Sequence, residues 1–464
     1  MKGSPFLEVL AGGQAKLYPK SLRPVVLWAL VLFAAFWSVY FRIGMSWSAA
    51  GALFHFDALF QADPPRVVRD IAGATPFALR AGPHPLFPLL LHPVGSLLAT
   101  WTGSMYSAAV AVTAFAGALA VVVSMLLFAM VGMPLRTNVL FSALIGVSAS
   151  HVVFASLPDT FMFSAVITLA ATLLIVSRRA SLPRFVAAGV VAFGVTITNF
   201  AAIALLFWSH LKLRAKPMLI PLIVFGASVL AIGTTLAVFQ QRLYPGARSF
   251  YKAESYGGIL RYRAALRGMR AVERGVELAK HAFLYSIMAP AITTLENQKR
   301  VEVTDSMLPM PRSQCSDFCR WVQVFDGRTP EFSRHLPELS FHSDSFLPRY
   351  RPALWPGVLV WVFLLGLAGY RLVTGIRSLA ILEKGLLAVL LFHWGLHFIY
   401  GDDLFLFSAH WTAVLVVVTA LLLRDYWGLR WFQAALLSLV LFCIAANGLF
   451  VERALRIFGA SPAL

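Results

Sequence analysis

Long apolar runs separated by short polar stretches are the main pattern of the sequence. Each run has about 17–25 residues, the length that a helix needs to cross the hydrocarbon core of a bilayer. The pattern predicts an all-α polytopic membrane protein with about eleven membrane helices. Their predicted ranges are 24–43, 84–103, 105–132, 139–156, 159–177, 185–210, 218–240, 353–373, 378–399, 405–423 and 431–450.

Two of these runs depart from a simple crossing. The run 84–103 has three prolines within its first ten residues. Because proline removes a helix hydrogen-bond donor and clashes with the preceding turn, we expect a helix at the membrane edge. The run 185–210 carries Asn199 in its interior, and we expect two shorter helices that meet near this residue.

Basic loops predict the orientation of the chain. With the N-terminus in the cytoplasm, 84–103 re-entrant and 185–210 split, every short basic loop lies on the cytoplasmic side, as the positive-inside rule requires. A full crossing by 84–103 and an intact 185–210 would instead put the loop Arg178–Arg184 outside. The preferred orientation places on the outer face the loop 44–83, the turns near Asp159, Asn199 and Asp403, and the long loop 241–352.

The same pattern predicts the division of the chain into segments. The N-terminus has no cleavage-like site after its first apolar run, so this run is interpreted as a retained span. The predicted segments are a cytoplasmic N-terminus (1–23), a transmembrane module (24–240) with a first outer loop (44–104), an extracytoplasmic loop or small domain (241–352), and C-terminal transmembrane helices (353–464).

Composition agrees with a membrane protein and limits the expected partners. The chain is 59% hydrophobic and 13% charged, whereas a soluble domain has about 45–50% apolar and about 25% charged residues. The net charge of +18 is explained by Lys and Arg in short loops and beside anionic headgroups. Membrane lipids are therefore expected partners, and nucleic acid is not.

The long loop has a pattern of its own. Residues 246–285 alternate bulky apolar residues with arginines, among them Arg261, Arg263 and Arg270. This pattern predicts either a basic amphipathic helix on the membrane surface or the solvated face of a small domain. The arginines are also candidates for binding a lipid phosphate, because guanidinium binds phosphate bidentately. Further along, Cys315 and Cys319 would form a local disulfide if the segment is extracytoplasmic.

Polar residues from distant parts of the sequence are predicted at one membrane boundary. Carboxylates inside or beside a membrane are costly and usually functional. The predicted orientation puts them at one depth, which indicates a site fed from the lipid phase. They are Asp57, Asp63, Asp70, His84, Asp159, Asn199, Asp402 and Asp403.

These residue types suit one kind of chemistry. A carboxylate can act as general base and deprotonate an acceptor hydroxyl, while arginine or histidine stabilises a leaving lipid phosphate. The sequence has no Gly-rich phosphate loop, GxSxG elbow or HExxH motif. Sugar transfer from a polyprenyl-phosphate donor therefore fits the residues.

Four motifs, taken in order, resemble a known family. They are Asp63-Pro-Pro-Arg66-Val-Val-Arg69-Asp70, the stretch 82–88 (GPHPLFP), the stretch 157–161 (LPDTF) and the stretch 404–411 (LFLFSAHW). Together they resemble the GT-C integral-membrane glycosyltransferases, especially protein O-mannosyltransferases and the lipid A aminoarabinose transferase. Two departures stand out: Pro64 follows Asp63 where the family often has Glu, and His84 stands where it often has Lys.

The resemblance implies roles for the candidate residues. Asp63 is the predicted catalytic base, although Asp-Pro-Pro is also a good helix start, and Asp57 is the alternative base. Asp70 is interpreted as the partner of an arginine. The predicted donor-phosphate or substrate-binding residues are His84, Arg66, Arg69, Asp159, Arg261, Arg263 and Arg270.

A metal is not assigned from the sequence. His393 and His397 lie four residues apart, which is a possible spacing for two metal ligands on one helix face. Without a third ligand they are interpreted as hydrogen-bonded core residues, as are His151 and His410. No cofactor is predicted, and a divalent metal stays open.

The resemblance implies a GT-C helical bundle with interfacial helices on its outer face. The expected function is inverting transfer of one hexose or pentose from a polyprenyl-phosphate carrier to a glycan, lipid or protein acceptor. The expected location is the outer face of a bacterial cytoplasmic membrane. Two alternatives stay open: a lipid or glycan transporter or flippase, and a ligase that uses a diphosphate lipid donor.

Overall fold

The computed structural model describes residues 22–74, 76, 82–213, 219–244, 271–295, 336–341, 348–401 and 403–459. Helices dominate these residues, and the α-helices are numbered in chain order. They are α1 (Arg23–Ala49), α2 (Pro64–Ala72), α3 (Phe87–Thr102), α4 (Met105–Met130), α5 (Leu135–Val147), α6 (Ala149–Phe154), α7 (Phe161–Val176), α8 (Leu182–Val195), α9 (Asn199–Leu213), α10 (Leu219–Leu243), α11 (Ala271–Lys280), α12 (Trp355–Gly375), α13 (Ile381–Ile399), α14 (Thr412–Leu422) and α15 (Arg430–Ile457).

Shorter elements complete the described chain. A π-helical turn follows α11, and 3-10 turns lie beside several helix ends; the longest of these is Phe405–His410. The strands β1 (Thr293–Leu295) and β2 (Glu338–Ser340) form an antiparallel pair.

Six of the described helical segments are long and apolar enough to cross a membrane. Four shorter apolar helices, α5, α7, α8 and α14, have 10–17 residues. The chain is therefore an all-α multi-pass membrane protein, while the predicted count of about eleven spans is not confirmed by helix length. The six segments are Arg23–Ala49, Met105–Met130, Leu219–Leu243, Pro352–Ser378, Ile381–Ile399 and Arg430–Ile457.

Several predicted runs are divided in the structure. The expected break of 185–210 is confirmed, since α8 ends at Val195 and α9 begins at Asn199. The run 139–156 is also split, because Ser148 ends α5 and its side chain accepts the His151 N–H at the start of α6. The first part of 405–423 is a 3-10 helix that precedes α14. Periodicity alone does not show these interruptions, because the residues around them stay apolar.

Helix α4 lies at the centre of the bundle. It packs against α1, α2, α3, α5 and α7, and small residues along it allow close approach, as is usual between membrane helices. A Cβ atom at Gly117 would overlap the methyl group of Ala155. Nearby, the Tyr40 hydroxyl of α1 donates to the Gly146 carbonyl of α5 at 2.6 Å.

The short helix α2 packs against α3. The contact depends on Gly95, where an added Cβ would overlap the backbone carbonyl oxygen of Ile71. This contact holds α2 against the bundle, and α2 carries the candidate residues Arg66, Arg69 and Asp70. The position of the first acidic motif therefore depends on a glycine that the sequence pattern does not single out.

We expect Gly95→Ala to destabilise the protein by about 1–3 kcal/mol, because a backbone atom cannot move aside as a flexible side chain can. The measurement is the thermal unfolding midpoint of the purified protein in detergent. The matched control is Gly366→Ala in α12, where an added Cβ meets nothing within 4 Å. The control should unfold at or slightly above the wild-type temperature. Equal midpoints for the two variants would contradict the close packing of α2 on α3.

Candidate functional site

Segments from distant parts of the sequence meet at one end of the bundle. They are the loop after α1 with α2, the stretch that leads into α3, the turn between α6 and α7, and the break between α8 and α9. Helix ends leave backbone donors and acceptors that need partners. Polar side chains therefore collect here, as predicted.

The loop before α2 has a strained backbone. Asp57, Phe60 and Gln61 have positive φ values of 62°, 54° and 58°, which cost about 1–3 kcal/mol each for residues other than glycine. The Asp57 N–H donates to the Ala62 carbonyl at 3.0 Å, and the Phe60 N–H donates to the Leu339 carbonyl at 3.0 Å. The second bond ties this loop to β2, and both bonds hold the chain in the strained conformation.

Arg66 bridges two of the predicted acids. Its Nε lies 3.4 Å from Asp63 Oδ2, and its Nη1 lies 3.6 Å from Asp70 Oδ2. The interpretation of Asp70 as an arginine partner is confirmed. Asp63 occupies the position before α2, yet its side chain makes no capping hydrogen bond. Pro65 at the second position of α2 has no N–H for a capping side chain, and the Asp63 carboxylate pairs with the Arg66 guanidinium instead.

Exposure separates the two acids that pair with Arg66. The Asp63 side chain is 21% exposed, whereas that of Asp70 is 3% exposed. A molecule outside the protein can therefore contact Asp63, while Asp70 is covered. Arg66 itself is buried, and so is Arg69 on the same helix.

Asp159 belongs to the same electrostatic group. It is buried in the turn before α7, and its Oδ1 accepts the Thr160 N–H at 2.5 Å and the Thr160 hydroxyl at 3.3 Å. Burial raises the pKa of Asp159 to about 6, while Arg66 lowers it and Asp63 raises it. The first acidic motif and the Asp159 turn thus interact electrostatically, and Asp159 also stabilises its own turn.

His84 lies against the break between α8 and α9. Its Nδ1 is 2.7 Å from the Val195 carbonyl oxygen and 3.3 Å from the Thr196 hydroxyl. On either side of it, the Ile197 N–H donates to the Pro83 carbonyl and the Leu86 N–H donates to the Gly194 carbonyl, each at 2.9 Å. These contacts give the backbone groups at the break their partners and fix the histidine ring.

A glutamine from α10 completes the start of α3. Gln240 Nε2 donates to the Pro85 carbonyl at 2.9 Å, and its Oε1 accepts the Leu89 N–H at 2.9 Å. In an uninterrupted helix these two backbone groups would bond to each other. The buried amide is inserted between them, so the proline-containing entrance to α3 keeps its polar groups satisfied. Nothing in the sequence distinguished Gln240 from other residues of its run.

Asn199 and Asp403 have structural partners. Asn199 Nδ2 donates to the Ser164 hydroxyl of α7 at 2.6 Å. Asp403 Oδ2 accepts the Ser340 hydroxyl of β2 at 3.0 Å, and its Oδ1 accepts the Phe405 N–H at 2.9 Å. Burial raises the pKa of Asp403 to about 6. Asp403 thus joins the turn after α13 to β2. The same strand accepts the Phe60 N–H of the loop before α2.

His410 is the neighbour that the sequence did not assign to the site. Its ring centroid lies 5.1 Å from that of Phe161, two residues after Asp159. His410 and His84 are also close enough to interact electrostatically. The motif LFLFSAHW contained His410, but residue type alone did not separate it from structural histidines. Among the described residues, the cluster of metal-ligating side chains is His393, His397 and His410.

An apolar cavity of about 820 Å³ lies between α11, α12, α13 and α14. Its lining includes Leu390, Trp394 and Leu415, together with Trp411. The Trp411 ring lies 5.2 Å from that of His397, between centroids. One lining residue of the cavity, Trp411, therefore packs against His397.

Several predicted residues lie outside the described part of the chain. These are Arg261, Arg263, Arg270, Cys315, Cys319 and Asp402. Of the arginine-rich stretch, the described residue Arg274 is buried, and its guanidinium donates to the His397 carbonyl at 2.9 Å and to the Gly401 carbonyl. Arg274 holds the end of α13 in place.

No family model matches the chain, no curated protein matches its sequence, and no solved structure matches its fold. The resemblance to GT-C enzymes therefore stays a prediction that rests on the four motifs. The function has to be argued from the chemistry of the residues that the fold brings together.

Ionisation of Asp159 should lower stability as the pH rises. In the folded protein the Asp159 carboxyl stays protonated up to about pH 6, whereas in the unfolded chain it loses its proton near pH 4. The resulting stabilisation is present below about pH 4 and is lost as the pH rises through 6, by up to about 3 kcal/mol. The Asn side chain of Asp159→Asn cannot ionise. The thermal unfolding temperature of this variant minus that of wild type should therefore be higher at about pH 7.5 than at about pH 4.5.

The control for this measurement is Asp425→Asn. Asp425 pairs with Arg371, and its side chain is 60% exposed. Its difference from wild type should change little over the same range. A flat difference for Asp159→Asn would show that the Asp159 carboxyl is not buried as described.

Proposed function

We propose that the protein is a membrane glycosyltransferase that moves one sugar from a polyprenyl-phosphate carrier to an acceptor hydroxyl. The proposed bundle is of the GT-C type, with about eleven membrane-associated segments, and lies in a bacterial cytoplasmic membrane. Its N-terminus would be cytoplasmic and the site would be on the outer face. The acceptor would be a glycan, a lipid or a protein.

One observation carries the proposal: the partly exposed carboxylate of Asp63 pairs with the buried guanidinium of Arg66. Both groups interact electrostatically with the buried acid Asp159. The three groups come from two sequence segments that lie far apart, and they meet at one end of a membrane bundle. Buried charges at such a place are costly and are usually retained for function. A base that an acceptor can reach and a cation for a phosphate are the two groups that this transfer requires.

The reaction is a single displacement. The acceptor oxygen attacks the anomeric carbon of the donor sugar, the new C–O bond forms there, and the bond from this carbon to the phosphate oxygen breaks. Asp63 takes the proton of the acceptor hydroxyl, and the polyprenyl phosphate leaves with the electron pair of the broken bond. Attack opposite the leaving group inverts the configuration at the anomeric carbon.

Arg66 and His84 are the proposed contacts for the donor phosphate. Arg66 already lies between two carboxylates, so a phosphate oxygen would share its guanidinium with Asp63. The His84 ring is fixed by the Val195 carbonyl. Arg69 lies on α2 with Arg66, Asp57 lies in the loop before it, and Asp159 interacts with Arg66 from the turn before α7. Arg261, Arg263 and Arg270 stay candidates for the phosphate on the basis of sequence.

The apolar cavity beside Trp411 supports a lipid-linked donor. It has a volume of about 820 Å³ and an apolar lining, which is suitable for part of an isoprenoid chain. Trp411 of the lining packs on His397, and His410 packs on Phe161, so the cavity lies beside the elements that carry the candidate site. A nucleotide sugar has no apolar part that would use this cavity.

We expect Asp63→Asn to lower kcat for sugar transfer by about 100-fold or more, which is the contribution typical of a general base. The assay uses purified protein in nanodiscs with undecaprenyl-phosphate sugars of several hexoses and pentoses. Asp57→Asn tests the alternative base, and Asp425→Asn is the exposed control. If Asp63→Asn keeps full activity, Asp63 is not the general base. If activity is lost only in Asp57→Asn, Asp57 is the general base.

The donor series also tests the rival functions. Transfer from monophosphate carriers supports the proposal, whereas transfer of a whole glycan from a diphosphate carrier would support a ligase. Movement of the lipid across proteoliposomes without any transferred sugar would support a flippase. Each of the last two results contradicts the proposed reaction.

Arg66→Lys should raise the KM for the donor by about 10-fold, because lysine keeps the charge but loses the paired donors that match a phosphate. Binding of the free carrier, undecaprenyl phosphate, should weaken by a similar factor. The matched control is Arg424→Lys, since Arg424 pairs with the buried Glu383 at the opposite end of α13. An unchanged KM in Arg66→Lys would exclude Arg66 from the phosphate site.

A further inference from the structure

Three histidines form a buried cluster beside the candidate site. His393 and His397 lie one turn apart on α13, and His410 ends the 3-10 turn before α14. One ring nitrogen from each lies within 4.8 Å of the others. We propose that His393, His397 and His410 bind one transition-metal dication of the Zn²⁺ class.

The ring nitrogens supply the first reason. The three side chains are 1%, 1% and 4% exposed. Within the described part of the chain, His393 Nδ1 and both ring nitrogens of His397 and of His410 have no hydrogen-bond partner. The Tyr400 backbone interacts with the His397 ring, but its N–H already donates to the Leu396 carbonyl at 2.8 Å. Each buried polar atom without a partner costs about 1–3 kcal/mol, and a shared metal would satisfy three of them at once.

The neighbours of the cluster supply the second reason. Phe407 stacks on His397 with centroids 4.3 Å apart, and Phe161 and Trp411 cover other sides of the rings. These aromatic walls offer no hydrogen-bond acceptor to the buried nitrogens. His393, His397 and His410 are buried, as interpreted, but among the described residues no side chain or backbone group meets the geometry of a hydrogen bond to these nitrogens.

The donor set selects the kind of ion. Imidazole nitrogen suits Zn²⁺, Cu²⁺, Ni²⁺ and Fe²⁺, whereas Mg²⁺ and Ca²⁺ prefer oxygen ligands. Tetrahedral Zn–N bonds of about 2.0–2.1 Å place two ligand nitrogens about 3.4 Å apart. In the structure the three nitrogens lie within 4.8 Å of one another. A small inward rotation of the rings would bring them to the distance that a metal requires. His410 is on a short 3-10 turn, where such a change is easier than on α13.

Three protein ligands leave a fourth position open, as in catalytic zinc sites. His410 contacts Phe161, the first residue of α7, which follows Asp159 by two positions. Arg274 adds positive charge nearby through its bonds to the His397 and Gly401 carbonyls. A dication beside an arginine favours an anion, hydroxide or phosphate, as the fourth ligand.

The test measures bound metal in the full chain, after removal of any affinity tag that contains histidine. The protein is stripped with a chelator, reloaded with Zn²⁺, freed of excess metal by gel filtration and analysed by mass spectrometry. We expect one Zn²⁺ per chain, and Co²⁺ loading should give the visible ligand-field bands of a tetrahedral nitrogen site. Absence of both in the wild-type protein would overturn the proposal, whatever the sugar-transfer assay shows.

Variants locate the ion. His410→Ala and His393→Ala should each weaken Zn²⁺ binding by more than about 100-fold. Loss of a residue that only supports a ligand costs about 10–100-fold, and loss of a ligand should cost more. The control is His92→Ala, since His92 already bonds to the Gly73 carbonyl at 2.9 Å and should leave binding unchanged. Wild-type affinity in both cluster variants would place the metal elsewhere and reject the site. If the alanine variants do not fold, His410→Gln and the wild-type Co²⁺ spectrum decide the question.

Discussion

The structure depends on one constraint: inside an apolar bundle, every backbone N–H and C=O group needs a partner. Two interruptions create such groups, the proline-rich entrance to α3 and the break between α8 and α9. The fold solves both by placing them against each other, so that residues 83–86 bond to residues 194–197. The Gln240 side chain bonds to the two backbone groups that remain, the Pro85 carbonyl and the Leu89 N–H. Because His84 lies within this junction, the position of its ring follows from backbone chemistry.

A similar rule governs the charges. Arg66 is buried and lies between Asp63 and Asp70, and a buried ion that loses its partner costs far more than an exposed one. Of the two carboxylates that pair with Arg66, Asp63 is partly exposed and Asp70 is buried, so burial decides which of them can contact another molecule. Asp159 contributes from the other side of the junction through its interaction with both Asp63 and Arg66. The acids that are spread along the sequence thus form one coupled group.

Much of the helix pattern and the meeting of the polar motifs at the ends of helices could be predicted from sequence. Hydrophobic run length gives the long helices, Asn199 marks the break, and the spacing from Arg66 to Asp70 predicts their pairing. The histidine cluster could not be predicted, because His410 follows a 3-10 turn whose direction periodicity does not specify. Gln240 was equally hidden, since its role depends on a partner about 150 residues away.

The bridge from Gln240 to Pro85 and Leu89 has a consequence for biosynthesis. The chain enters the membrane from its N-terminus, so α3 is made long before α10 is available. Until α10 arrives, the first turn of α3 lacks the amide that completes its backbone bonds, and water or lipid headgroups must serve instead. The two interruptions can bond to each other once α8 and the start of α9 are in place, and Gln240 completes the junction when α10 follows. The site is therefore finished late, after more than half of the chain has been inserted.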